Sequence, residues 1–385
     1  MAERGRVRRN TRGTTASPSV STPRAVAAGR RTKIDSAEIA RLVGVARSTV
    51  SKVLNGYPHI AAGTRTRILE AVRTYRYYPN YSAQVLAGKR TTTLGLFFFR
   101  AGHFADDVMA DYMISSVIEN AATLGYHTLA SVVRDPQDSA TASSLVGAFY
   151  QRRIAAGIFI GARNREPLID QLVADGYAVG VYDQRPPSRP EPNRVVVNYD
   201  DEGTSRAVIR YLASLGHRAI GIIEGDRARY AGMMKRRGFL AGMRSCGIPV
   251  EPAWIRAGDF QSEGGYRAMR DLLAGADRLP TAVAAANDNT AFGALRALEE
   301  SGLRVPDDIS IAGIDGHPFC QYARPPLTSF EYDIPAMIAG LVTAVVGVAS
   351  GRADAGSLRQ TYRARIVERQ SCRRLPDASE ETPEK

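Results

Sequence analysis

Two groups of side chains in this sequence have the types and spacing to act on a partner. The first lies in "GVARSTVSKVLNG", Gly44 to Gly56, where Arg47 and Lys52 stand without an acid among Ser48, Thr49, Ser51 and Asn55. Val50, Val53 and Leu54 fall at i, i+3 and i+4, so they share one face of a helix and leave a cationic, hydroxyl-rich face outward. The second group follows short apolar runs: Asp183 after "VGVY", Glu224 after "IGII", Asn287 and Asp288 after "VAAA", and Asp315 after "IAGI". Open α/β sheets bind ligands at the carboxyl ends of their strands, where Asp and Asn meet hydroxyls and ring oxygens. The competing role is to cap the following helices, and for Asp288 it weighs equally.

Other chemistry lacks its residues. There is no Gly-x-Gly-x-x-Gly or phosphate-loop lysine motif and no Gly-x-Ser-x-Gly elbow, so neither a nucleotide cofactor nor serine hydrolysis is expected. His317 and Cys320 lie three apart, but two ligands make no metal site. Cys246, Cys320 and Cys372 are odd in number and scattered, and read as reduced thiols. The sequence implies no cofactor and no metal.

The elements that position these residues follow from periodicity. Asp35 is the expected N-cap of a first helix, with Glu38 completing a capping box and Ile39, Leu42 and Val43 facing inward. Gly44 breaks that helix, the quoted stretch supplies the second, and about Gly63 to Tyr75 forms the third, with Ile68, Leu69 and Val72 inward. Three short helices with a Gly-containing turn after the first make a helix-turn-helix pattern over 34–78. Residues 79–90 read as a linker. From Thr93, the runs "LGLFFF", "HTLASVV", "AAGIFIG", "YAVGVYD", "RVVVNY", "AIGIIEG", "TAVAAAND" and "DISIAGID" alternate with amphipathic helices. This predicts parallel strands covered on both faces, in a doubly wound α/β body of two similar halves.

Charge separates the two parts. The 385 residues carry a net charge of +12. Residues 1–90 hold eighteen Lys/Arg against four Asp/Glu, and residues 91–385 hold thirty-three against thirty-five. A basic front on a near-neutral body implies an anionic partner for the front alone. Residues 1–33 and 371–385 lack apolar periodicity and are expected to be disordered. No window is long and apolar enough for a membrane span, and the amino terminus lacks a signal-peptide core, so a cytoplasmic protein is expected.

The chain resembles the lactose-repressor family of bacterial transcription regulators over about 34–370. "EIARLVGVARSTVSKVLNG" is similar to its helix-turn-helix, and "YYPNYSAQVLAGKRTTTLG" to its hinge. "AANDNTAFGALRALEESGLRVPDDISIAGID" with "ARPPLTSF" resembles the second half of its ligand domain. The resemblance implies a multidomain chain, a small all-α helix-turn-helix DNA-binding domain followed by an α/β, periplasmic-binding-protein-like domain of two subdomains. The first subdomain would take about 93–195 and 332–361, and the second about 196–331 and 362–370. The second helix would enter the major groove of an operator, with Arg47, Ser48 and Lys52 on base edges. Thr49, Ser51, Asn55, His59, Thr64 and Asn80 would contact phosphates, and Leu86 of a hinge helix would wedge into the minor groove.

The resemblance also assigns the ligand site. Asp183, Asn287 and Asp315 would take ligand hydroxyls, and Phe260 would stack on its ring. Two positions depart from the family: Met233 stands where an Arg is common, with Lys235 or Arg236 as substitutes, and Tyr332 replaces a Gln. Ala46 and Ala61 replace capping serines, which implies a less stable DNA-binding unit. Asp106 and Asp107 are more readily read as solvent-exposed than as cleft residues. The expected protein is a homodimer on a palindromic operator that represses transcription and is released by a sugar-like effector. A corepressor-dependent repressor or an activator is the alternative. A free sugar-binding protein or an enzyme on the same fold is remote. The acidic end "LPDASEETPEK" has no leucine heptad, so no tetramer through a terminal coiled coil is expected.

Overall fold

A computed structural model describes residues 34–79, 84–85, 88, 90–99, 108–189, 191–353 and 359–376. The chain divides into two compact units, Met1–Gly88 and Lys89–Lys385. The basic tail 1–33, Asn80, Leu86, Asp106, Asp107 and residues 377–385 lie outside the described residues, whereas 371–376, expected to be disordered, are placed against the second sheet: Ser371 is buried and its Oγ donates to the Ile311 carbonyl at 2.6 Å.

In the first unit, α1 (Ser36–Val43), α2 (Arg47–Leu54) and α3 (Ala62–Thr74) enclose Ile39, Ala40, Val43, Val50, Val53 and Ile68. The Asp35 carboxylate accepts from the Ala37 and Glu38 amides at 2.8 and 2.9 Å. Glu38 turns away to Arg41 (2.6 Å), so only half of the capping box forms. Gly44 ends α1 at φ 71°, a left-handed conformation that suits glycine. Ala46 and Ala61 leave α2 and α3 without side-chain caps. Leu42 and Leu69 are corrections, for both are exposed (42% and 37%). Each inward face is completed by a smaller residue, Ala40 on α1 and Ala71 on α3, because close packing of three short helices favours small side chains at the contacts.

The second unit contains two six-stranded sheets. The first joins β1 (Thr93–Phe99), β2 (His127–Val133), β3 (Ala156–Ile160), β4 (Ala178–Tyr182), β5 (Arg194–Tyr199) and β11 (Arg359–Tyr362) in the order β11-β5-β4-β3-β1-β2, all parallel. Its helices are α4 (Val108–Thr123), α5 (Ser139–Tyr150), α6 (Pro167–Ala174) and α11 (Ile334–Ala349). The second joins β6 (Ile220–Ile223), β7 (Ile255–Arg256), β8 (Ala282–Ala285), β9 (Ser310–Asp315), β10 (Thr328–Glu331) and β12 (Arg365–Val367) in the order β12-β10-β9-β8-β6-β7, with only β12 antiparallel. Its helices are α7 (Asp201–Ser214), α8 (Tyr230–Ser245), α9 (Ser262–Gly275) and α10 (Asp288–Glu300). The eight apolar runs become β1–β6, β8 and β9. All residues of β3, β5, β6 and β8 are buried, which is why these strands lack polar alternation.

The chain passes between the sheets three times: after β5, after β10 and after β11. The first passage differs from the expected split at 195/196. β5 pairs with β4 and β11 through to Tyr199, so all of it belongs to the first sheet. The passages are tied together. The Asp200 amide donates to the Tyr362 carbonyl (2.8 Å), and the Tyr199 and Tyr332 rings stack at 3.7 Å and 3°.

Candidate functional site

On α2, the side chains that do not pack inward are presented to solvent. Arg47, Ser48, Ser51, Lys52 and Asn55 are exposed, and Thr49 is half-buried. His59 in the following loop is exposed and Thr64 on α3 half-buried. Arg47 is not a loose cation, since its Nε donates to Ser36 Oγ at 2.9 Å, which aims the guanidinium from α1. Asn55 Nδ2 donates to Ser51 Oγ at 3.3 Å. Two cations of α3 act as braces that the sequence reading did not single out: Arg65 donates to the Tyr57 carbonyl and Arg67 to the Val43 carbonyl. They tie the Val43 carbonyl at the end of α1 and the Tyr57 carbonyl after α2 to a neighbouring helix, and leave the first-turn amides of α2 and α3 without a side-chain acceptor.

In the second unit, the carboxyl ends of both sheets line a cavity of about 610 Å³. Three residues there take positive φ without being glycine: Asp183 (65°) after β4, Phe260 (68°) after β7 and Asp315 (116°) at the end of β9. Strained backbone of this kind costs about 1–3 kcal/mol per residue and gathers at ligand sites.

Most polar groups assigned to the ligand are committed to protein partners. Asp183 is buried; its carboxylate takes Arg229 Nε at 2.7 Å and the Ala231 amide at 2.6 Å. It thus reaches from the first lobe to cap the start of α8 in the second. Burial raises its pKa, with Arg229 opposing. Asn287 caps α10: its Oδ1 accepts from the Thr290 amide and hydroxyl (2.9 and 2.6 Å), and its Nδ2 donates to the Phe260 carbonyl (3.1 Å). Asp288 accepts from Ser329 Oγ (2.7 Å) and the His317 amide (2.7 Å), and burial pushes its pKa up to about 7. Glu224 is taken by Arg227 and by Arg236 (2.6 Å).

Phe260 is 6% exposed, and the Arg229 guanidinium and the Lys235 ammonium stand 5.1 and 5.4 Å from its ring centroid. The ring packs so closely on Gly225 that a Cβ there would lie 2.1 Å from it. Met233 does not line the cavity, whereas Lys235, two residues on, packs behind its wall. Its Nζ donates to the Ala286 carbonyl (2.9 Å) and to Asp315 (3.1 Å), and lies 3.7 Å from Asp201. Burial works against this ammonium, but the carboxylates of Asp315 and Asp201 outweigh it and its pKa is raised. Burial carries Asp201 up to about 7, with Lys235 opposing. Tyr332 also stands outside the cavity lining. It is a buried member of the lobe passages, its hydroxyl 3.5 Å from Asp201. Of the assigned residues, Phe260, Asn287 and Asp315 line the cavity. No cluster of metal-ligating side chains exists among the described residues.

Residues 37–80 match the family described as bacterial regulatory proteins, lacI family, and residues 209–372 match a periplasmic binding protein-like domain. The HTH-type transcriptional regulator CelR of Thermobifida fusca is 30% identical over 295 residues, spanning 76% of this chain and 84% of the relative. The probable HTH-type transcriptional repressor ExuR of Bacillus subtilis is 32% identical over 303 residues, spanning 76% and 85%. This chain belongs to the lacI family. A solved complex of the transcriptional regulator CelR with cellobiose superposes with a TM-score of 0.66 at 25% identity, covering 88% of this chain and 99% of that one. The lac repressor dimer bound to operator and the anti-inducer ONPF has the same fold, with a TM-score of 0.77 at 24% identity over 89% and 100% of the two chains.

As a lacI-family member, the protein is a ligand-responsive, DNA-binding transcription regulator, and its family is one of regulators, not enzymes. No helix of the described residues is long and apolar enough to cross a membrane. The cavity wall holds Arg134, Arg163 and Arg229, which the sequence reading did not select. Arg134 and Arg163 follow β2 and β3 as Asp183 follows β4, so the position-after-strand signal was present there too.

Proposed function

We propose that this regulator is a homodimeric repressor that binds a palindromic operator through α2 and is released by a sugar-like molecule held in the cavity between the lobes. The observation that supports it best is the solvent-facing set Arg47, Ser48 and Lys52 on one short helix, in a chain whose second unit carries a cleft with polar and apolar lining. Arg47 grips a guanine through O6 and N7, which is worth about 1–3 kcal/mol of discrimination, while Ser48 and Lys52 read neighbouring base edges. Thr49, Ser51, Asn55, His59, Thr64 and Asn80 hold phosphates and set register. Leu86 unstacks the central step from the minor groove. Asp315, Phe260 and Asn287 meet the ligand, and Asp183 acts through Arg229.

The ligand changes the relation of the lobes, and with it the pairing of two linkers on DNA. Coupling of this kind is typically about 1–3 kcal/mol. The protein works in the cytoplasm and turns over none of its ligands. The relatives favour release by a sugar: CelR is solved with cellobiose and ExuR is named a repressor. The test is selection of operator sequences from a random duplex pool by the purified protein at physiological salt. A palindrome with a flexible central pyrimidine–purine step supports the reading. Enrichment of asymmetric sites, or none over competitor DNA, overturns it.

A further inference from the structure

Much of the positive charge of the chain lies outside α2. Residues 1–33 carry nine Lys/Arg against a single acid, Glu3. Five of these cations, Arg4, Arg6, Arg8, Arg9 and Arg12, fall within nine positions, and Arg30, Arg31 and Lys33 stand directly before the first helix. Terminal segments so biased toward one sign act as arms for partners of the opposite sign.

The point at which this segment joins the helical unit is fixed. Ile34 packs against the helical core, Asp35 caps α1 and Ser36 is its first residue. Ser36 Oγ receives Arg47 Nε at 2.9 Å, and Arg47 is the first residue of α2. The chain therefore enters the fold beside the start of α2, the end that carries Arg47 and Ser48. A polyanion docked on α2 lies next to that entry. The helical unit has little of its own to absorb the cations. Residues 34–79 hold three acids, of which Asp35 is taken by the Ala37 and Glu38 amides and Glu38 by Arg41, leaving Glu70. Reach is ample. The 22 positions from Arg12 to Ile34 span at most about 75 Å when extended, about two turns of duplex.

We propose that residues 1–33 are a second DNA-binding element, an arm that lies along the phosphates of the duplex flanking each half-site, outside the base pairs met by α2. The arm adds affinity and salt dependence but no sequence preference, because phosphate contacts carry no base information. This rests on α2 as the DNA-reading helix.

The test compares the unaltered protein with a full-length variant carrying Arg4→Gln, Arg6→Gln, Arg8→Gln, Arg9→Gln and Arg12→Gln. Affinity is read by fluorescence anisotropy between about 50 and 200 mM salt. Three duplexes are used: the selected palindrome alone, the palindrome with about 20 base pairs of flank on each side, and a random sequence of that longer length. Each phosphate contact steepens the dependence of log affinity on log salt by about 0.9. On both long duplexes the variant should lose about 4 from that slope per arm. The unaltered protein should then shed a few hundredfold more affinity than the variant across the salt range. On the short palindrome the two proteins should agree, with the same bases selected and the same melting temperature.

Equal slopes on the long duplexes overturn the proposal. So does an equal loss on the short palindrome, which would place the arm inside the half-site, or a change in the selected bases. Tighter DNA binding or a lowered melting temperature in the variant would mean that the cations occupy an acidic surface of the protein itself, and overturns it as well. Selection of no palindrome strikes the regulator reading alone, since the random-sequence duplex still reports whether the arm holds phosphates.

Discussion

The α2 surface and the cleft are both rich in polar side chains, yet they spend them differently. On α2, Ser48 and Lys52 face solvent, and Arg47 keeps its guanidinium outward with a single anchor on Ser36. In the cleft, Asp183, Asn287, Asp288 and Lys235 are buried and engaged by groups from other segments. The difference is one of dielectric. A solvated side chain waits for its partner at little cost, while a buried polar group must be paired within the fold. A DNA-reading face can therefore be assembled from independent residues. A cleft is an interlocked network, in which a substitution is felt as stability before it is felt as affinity.

The strongest way to break this contrast is Lys235→Met. It leaves Asp201 and Asp315 without their shared cation, and removing one member of a buried charged set costs about 3–5 kcal/mol. Chemical denaturation of the ligand-free protein reads it directly; an unchanged midpoint would make the network ornamental.

The next effect is pH dependence. Asp288 and Asp201 hold their protons to about pH 7 in the folded chain. Unfolded, they release them near the ordinary aspartate value of about 3.9. Folding takes up protons between those values, so stability contributed by these groups is full at the acid end and declines as pH rises toward 7. Melting temperatures measured across that window should fall less steeply in Asp288→Asn than in the unaltered protein.

Arg47→Ala tests the other side of the contrast. It should leave melting nearly unchanged and weaken operator binding by about 1–3 kcal/mol, with relaxed preference at one base position. Uniform weakening across all sequences would place Arg47 on a phosphate instead.

The smallest effect sharpens the picture of the helical unit. Ala46→Ser supplies the missing cap of α2 and should stabilise this unit by about 1 kcal/mol. An unchanged melting temperature would show that the first-turn amides of α2 gain nothing from a side-chain acceptor.

Much of the fold was legible. Val50, Val53 and Leu54 announce α2, and the apolar runs mark eight of the strands. The strands that escaped, β7, β10, β11 and β12, are short and lack the consecutive apolar residues that marked the equally short β6 and β8. Leu42 and Leu69 misled because hydropathy ranks leucine above alanine, while packing of short helices preferred Ala40 and Ala71. Of the polar residues read after strands, Asn287, Asp288 and Asp315 line the cavity, whereas Asp183 and Glu224 do not. Met233 and Tyr332 failed because a two-residue shift along a helix, or a place in a lobe passage, turns a side chain away from the cavity.

The sequence by itself determined the three helices of the first unit, eight of the strands and the neighbourhood of the cleft, because the periods of helices and strands are local and are written into consecutive residues. Only the tertiary structure decided which polar residues are spent and which remain. Asp183 and Arg229 are 46 positions apart, and Lys235 and Asp315 are 80 apart. Whether a buried carboxyl is satisfied depends on partners delivered by remote strands, and no local pattern encodes that.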